Sequence, residues 1–174
     1  MNQKRIRKIV FSAMFCALVF AATWFSIPAP TIGNINLGDG VLLLCAWMLG
    51  GPWAAVSAAL GATLTDLMGA YAIYAPGTFV IKALMVVVAI LVCKLGSRLH
   101  ISPRISRILS AISAEIVMIL GYFLYESAFL GYGIGAAANM PFNAIQGTFG
   151  ILVACIIYEI LSHTGISLGN DSHS

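Results

Sequence analysis

Lys82 is the residue hardest to reconcile with its surroundings, because it stands inside an apolar run from 78 to 97. A charge in hydrocarbon costs about 2.5–3.5 kcal/mol on insertion scales and needs a partner or a ligand. Snorkelling of its long stem to the headgroups is the bland account. Asp66 or Asp39 could pair with it, or all three could face one ligand. Asp39 could equally cap the helix it begins. Asn139, Asn143 and Gln146 follow at i, i+4 and i+7 beside Pro141, the spacing of one helix face. Such a stripe suits a cavity better than lipid, with helix-to-helix hydrogen bonding as the alternative. Glu115 falls mid-span in another apolar run, with Glu126 near its end. Glu115 either pairs within a bundle or holds a proton, and no second acid or histidine stands at relay spacing.

Aromatic residues gather in the same loops: Trp24, Tyr71, Tyr74, Tyr122, Tyr125, Phe129, Tyr132 and Phe142. An interfacial belt explains some of them. Beside amides and one cation, they suit a flat, polar-edged heteroaromatic molecule, stacked on its faces and hydrogen-bonded at its edges. The candidate substrate-binding set is Asn36, Asp39, Asp66, Tyr71, Tyr74, Lys82, Asn139, Asn143 and Gln146.

Other chemistry is poorly supported. No phosphate-binding G-x-x-x-x-G-K-[S/T] loop is present, so the chain is not expected to hydrolyse ATP itself. No G-x-S-x-G, H-E-x-x-H or Cys/His pair offers a catalytic centre, and an enzyme is not expected. Cys16, Cys45, Cys93 and Cys155 are scattered singly through apolar runs, which suits buried thiols and argues against a metal site or a disulfide framework. No cofactor is expected.

The elements that must position these residues are membrane helices. Hydrophobic residues make up 60% of the 174 and charged ones 9%, far from the balance of a soluble domain. One membrane domain is expected over 1–174, with a basic head (1–8) and a polar tail (163–174). Helices run over about 7–25, 78–97, 105–125 and 143–162, each long enough for a ~30 Å hydrocarbon layer. The head and the first helix resemble a secretory signal, but no small-x-small cleavage site follows. Val41 to Leu67 is either one faulted helix or two helices meeting at Gly50-Gly51-Pro52.

Charge decides between them. Lys4, Arg5, Arg7 and Lys8 form one basic cluster; Lys94, Arg98, Arg104 and Arg107 form another. The positive-inside rule puts both in the cytoplasm, which requires an even number of crossings between them. Gly50-Gly51-Pro52 is then a cytoplasmic turn flanked by Trp47 and Trp53. The expected fold is an all-α integral membrane protein of six transmembrane helices in one bundle, with both termini cytoplasmic. These charges answer to lipid and insertion machinery, so nucleic acid is not an expected partner.

The second helix, Gly40 to Leu49, would span only ~15 Å. The Thr31–Asp39 loop before it must then dip in from outside, which requires a surrounding pocket. The alternative is a helix beginning near Asn36, with no dip. Two small-residue ridges, Ala13/Ala17/Ala21 and Ala54/Ala58/Ala62, allow close helix approach, and one could be a docking face.

The ordered motifs resemble the substrate-binding S component of energy-coupling factor (ECF) transporters. They are Ala13-x-x-x-Ala17, Asn36-Leu37-Gly38-Asp39, Leu49-Gly50-Gly51-Pro52, Asp66-x-x-x-Ala70-Tyr71, Thr78-Phe79-x-x-Lys82 and Pro141-Phe142-Asn143-x-x-Gln146-Gly147. The resemblance implies a vitamin-binding subunit of an ABC-type importer in a bacterial cell membrane, with its site near the outer face. It implies a transmembrane coupling subunit and two ABC ATPases as partners, and a subunit that topples to carry ligand inward. The family's A-x-x-x-A docking ridge falls on Ala13 and Ala17, with Ala21 continuing it. Riboflavin-type members resemble the Pro141-Phe142-Asn143 stretch but carry Lys where this chain has Gln146. The Asn36–Asp39 and Thr78–Lys82 elements look closer to members for pyridoxine or hydroxymethylpyrimidine. A stand-alone proton-coupled transporter using Asp66, Lys82 and Glu115, or a membrane assembly subunit without ligand, are the other readings.

Overall fold

The computed structural model describes residues 3–28 and 34–163. Residues 1–2 of the basic head, 29–30, 31–33 of the loop expected to dip, and 164–174 of the polar tail lie outside the described residues. The six α-helices are α1 (Gln3–Trp24), α2 (Gly38–Met48), α3 (Gly51–Met68), α4 (Ala75–Arg98), α5 (Pro103–Leu124) and α6 (Met140–His163). Short pieces join them. A 3-10 turn (Ala72–Tyr74) leads into α4, a π turn (Tyr125–Phe129) extends α5, and a 3-10 helix (Gly133–Asn139) precedes α6. Among the described residues there is also a pair of two-residue antiparallel strands, β1 (Ile27–Pro28) and β2 (Asn34–Ile35), with Ile27 opposite Ile35.

Among the described residues, four helical stretches are long and apolar enough to cross a membrane: Arg5–Trp24, Ala72–Arg98, Pro103–Phe129 and Gly133–His163. They expose large aliphatic side chains such as Val10, Leu91, Ile116 and Ile156, a surface that needs lipid around it. The fold is that of a multi-pass membrane protein.

The boundaries follow local chemistry. Gly50 and Gly51 adopt φ of +62° and +66°, a region that side chains with a Cβ avoid. Pro52 then sits in the first turn of α3, where its missing N–H is no loss. Ser102 caps α5, its Oγ accepting from Ile105 N at 3.4 Å ahead of Pro103. That is the usual N-cap bond.

Helix α2 begins at Gly38, two residues before the expected Gly40 and two after the alternative Asn36. Leu37 holds its N-cap position and no side chain caps it, so Asp39 is not a cap. Its 11 residues rise only ~16 Å. α1, α3, α4 and α6 enclose it, and Leu42, Leu43 and Cys45 are completely buried.

Around α2 the long helices pack in the order α1–α3–α4–α5–α6, and α2 closes the circuit between α6 and α1. The C-terminal ends of α1, α3 and α5 meet the N-terminal ends of α2, α4 and α6 around a cavity. The Gly50-Gly51-Pro52 turn and both basic clusters therefore share the opposite end, as the charge count required. Trp47 is half-buried there. Its Nε1 donates to Ser110 Oγ at 2.9 Å and its ring meets Tyr158 edge-on. Trp53 is exposed.

The two alanine ridges have different fates. Ala54, Ala58 and Ala62 are buried. Gly61 among them lies so close to α1 that a Cβ would strike the Cys16 carbonyl and Val19, so this ridge is spent in packing. Ala13, Ala17 and Ala21 lie exposed on the outside of α1.

Candidate functional site

The helix ends enclose a cavity of about 250 Å³, near the lower edge of the ~300–1,000 Å³ typical of small-molecule sites. Of the nine residues expected to bind substrate, Asn36, Asp66, Tyr71, Tyr74, Lys82, Asn143 and Gln146 line it. Asp39 and Asn139 do not. They stand one layer behind, each bonded to a residue that does.

Asp39 is 1% exposed and Lys82 6%. Lys82 Nζ forms an ion pair with Asp39 Oδ1, and Gln146 Nε2 donates to Asp39 Oδ2 at 2.5 Å. Gln146 Oε1 in turn accepts from the Asn36 backbone N–H at 3.1 Å, while Asn36 Oδ1 accepts from Gly38 N at 2.9 Å. A short α2 explains this network. Its first turn starts deep in the bundle, level with the second turn of α4, so Asp39 and not Asp66 meets the lysine. Lys82 does not snorkel. Its ammonium also lies 5.5 Å from the centroid of the Tyr122 ring, within cation–π range. The Tyr122 hydroxyl shares a 3.1 Å hydrogen bond with Thr78 Oγ1.

Glu126, on the cavity wall and 3% exposed, accepts from Asn139 Nδ2 at 2.8 Å and from Tyr74 Oη at 3.4 Å. Asn139 ends a 3-10 helix and α6 starts one residue later. Asn139 therefore stands just before α6 and turns its amide to Glu126. Asn143 and Gln146 reach the cavity. Asp66 lines the cavity beside Thr78, and its buried Oδ2 has no hydrogen-bond partner among the described residues. Glu115 is 4% exposed, packed against Gly147 and Gly150 of α6. Neither of its oxygens has a hydrogen-bond partner among the described residues.

Of the eight loop aromatics, Trp24, Tyr71, Tyr74 and Tyr122 face the cavity. Tyr125 is engaged elsewhere, its hydroxyl donating to the Ile73 carbonyl at 2.8 Å, and Phe129 and Tyr132 are exposed. Sequence reasoning missed Thr23, Ser26, Thr65 and Thr78, which also line the cavity. Hydroxyls in apolar helices carry little signal, because they can bond to their own helix; Thr65 Oγ1 donates to the Gly61 carbonyl at 3.2 Å. No group of three or more metal-ligating side chains occurs among the described residues. The arrangement brings ring faces, amides and carboxylates together in one half-open cavity.

Residues 3–163 match the family described as ECF-type riboflavin transporter, S component. A solved structure, "Structure and mechanism of the S component of a bacterial ECF transporter", aligns with a TM-score of 0.74 at 22% identity. The alignment covers 93% of this chain and 99% of that one. At that identity the likeness speaks for the fold. No curated protein sequence matches the chain.

Proposed function

The chain belongs to the family of ECF-type riboflavin transporter S components, and from that premise we propose that it captures a small heteroaromatic vitamin or vitamin precursor at the outer face of a bacterial cell membrane. It then delivers that ligand through a transmembrane coupling subunit powered by two ABC ATPases. The observation that carries this reading is the cavity walled by Trp24, Tyr71, Tyr74 and Tyr122 and edged by Asn36 and Asn143. Rings supply stacking faces and amides read the edges of a flat ligand. The positive-inside rule assigns the cavity to the exterior, since both basic clusters lie at the other end.

The exposed Ala13, Ala17 and Ala21 ridge is the docking face for the coupling subunit, because small residues let a partner helix approach closely. The family description points to riboflavin. The Asn36–Asp39 and Thr78–Lys82 elements point to pyridoxine or hydroxymethylpyrimidine, and Gln146 stands where riboflavin-type members have Lys. Purification in mild detergent followed by mass spectrometry of co-purified small molecules tests the reading. A heteroaromatic compound bound in stoichiometric amount supports it; no ligand, and no binding to a vitamin panel, refutes it.

A further inference from the structure

The charge lining the cavity narrows the ligand further. Three ionisable side chains of fixed sign line it: Asp66, Lys82 and Glu126. The one cation among them is already neutralised by Asp39, which does not line the cavity. Gln146 contributes little that is free. Its Nε2 is engaged by Asp39 and its Oε1 by Asn36. The carboxylates are only partly compensated: Asp66 has the Thr78 hydroxyl and a share of the Lys82 charge, and neither acid has an ion-pair partner of its own among the described residues. Glu126 has neutral donors only, Tyr74 and Asn139, and Asp66 Oδ2 has no partner among the described residues. Four aromatic rings share the same walls. Carboxylates beside ring faces attract cations and N–H donors, through ion pairing and the ring quadrupole, and they repel anions.

Resting on the proposed function, we infer that the cavity selects a heteroaromatic ligand whose edge carries a protonated ring nitrogen or an amino group, donated to Asp66, and that it rejects the phosphate ester of the same compound. The vitamin is thus taken up in its free form. A ligand with a bidentate N–H edge satisfies the Asp66 carboxylate, whose buried Oδ2 is otherwise costly. A phosphate would carry about −1.5 to −2 charge against Asp66 and Glu126, with no unpaired cation to meet it among the lining side chains.

The experiment is calorimetric titration of the purified full chain in detergent with matched probes: pyridoxine and pyridoxine 5′-phosphate, riboflavin and riboflavin 5′-phosphate, and 4-amino-5-hydroxymethyl-2-methylpyrimidine. The expected result is that a probe with a basic nitrogen or an amino group binds tightest. Any phosphate ester should bind roughly tenfold or more weaker than its parent, the effect of like-charge juxtaposition. Asp66→Asn, which keeps the shape, should weaken the best probe roughly 10- to 100-fold, the loss of a charge-assisted hydrogen bond. It should also narrow the gap between parent and ester. Tight riboflavin binding with weak binding of the basic probes, or an ester that binds as well as its parent, overturns this inference and leaves the proposed function standing. An Asp66→Asn protein that binds the best probe unchanged overturns it likewise. If no probe binds, the proposed function and this inference fall together. The comparison of parent and ester uses the unsubstituted protein, so it holds even if Asp66→Asn fails to fold.

Discussion

Asp39 and Gln146 lie 107 positions apart and meet through a 2.5 Å hydrogen bond from Gln146 Nε2 to Asp39 Oδ2. That contact fastens the start of α2 to α6. Since Asp39 also holds Lys82 of α4, one carboxylate behind the cavity organises two of the side chains that line it.

Asp39→Ala should therefore damage more than binding. It leaves a buried ammonium without its counter-charge, a loss of about 3–5 kcal/mol. Thermal unfolding in detergent should fall sharply. The double variant Asp39→Asn, Lys82→Met should recover most of that loss, because a buried pair replaced by neutral groups is often nearly neutral in cost. A double variant as unstable as Asp39→Ala would show that the pair is not what holds these helices together.

Asn143→Ala should behave differently. Asn143 lines the cavity and has no part in the Asp39 network. Ligand affinity should fall by about 1–3 kcal/mol, the usual cost of leaving a partner unpaired, while the unfolding midpoint stays put. Measured together, binding and melting separate the two classes of residue. Equal affinity for the variant would remove Asn143 from the site.

Ala13→Trp places a large ring on the exposed ridge of α1, away from the cavity. Ligand binding by the purified variant should match the parent, while uptake by cells carrying the coupling subunit and ATPases should be abolished. Unchanged uptake would mean that the partner docks elsewhere.

Gly51→Cys reports the orientation. An impermeant thiol reagent applied to intact cells should leave this cysteine unmodified and should label it once the membrane is opened. Labelling from outside would invert the bundle and place the cavity on the cytoplasmic side.

Much of this architecture could be read along the chain. Long apolar runs and the segregation of Lys and Arg are one-dimensional signals, and they located the long helices, the Gly50-Gly51-Pro52 turn and the end at which the cavity lies. Lys82 announced itself as a charge in the wrong solvent. Its partner did not, because the choice of Asp39 over Asp66 depends on how deeply α2 begins, and that depth is a property of packing. The two alanine ridges have the same spacing; only the crossing of α1 and α3 at Gly61 shows which one is consumed. Asn139 stands behind the cavity wall because Glu126, brought in by the π turn after α5, takes up its amide, and that pairing across 13 residues has no signature in the sequence.

The buried stub of α2 also fixes how cargo can travel. Beyond Asp39 the bundle axis is filled by Leu42, Leu43 and Cys45, none of them accessible. A ligand held beside Asn36, as proposed, would have this packed hydrocarbon below it. On the proposed function, delivery of a ligand would then call for reorientation of the subunit in its bilayer, not for passage along the axis of α2.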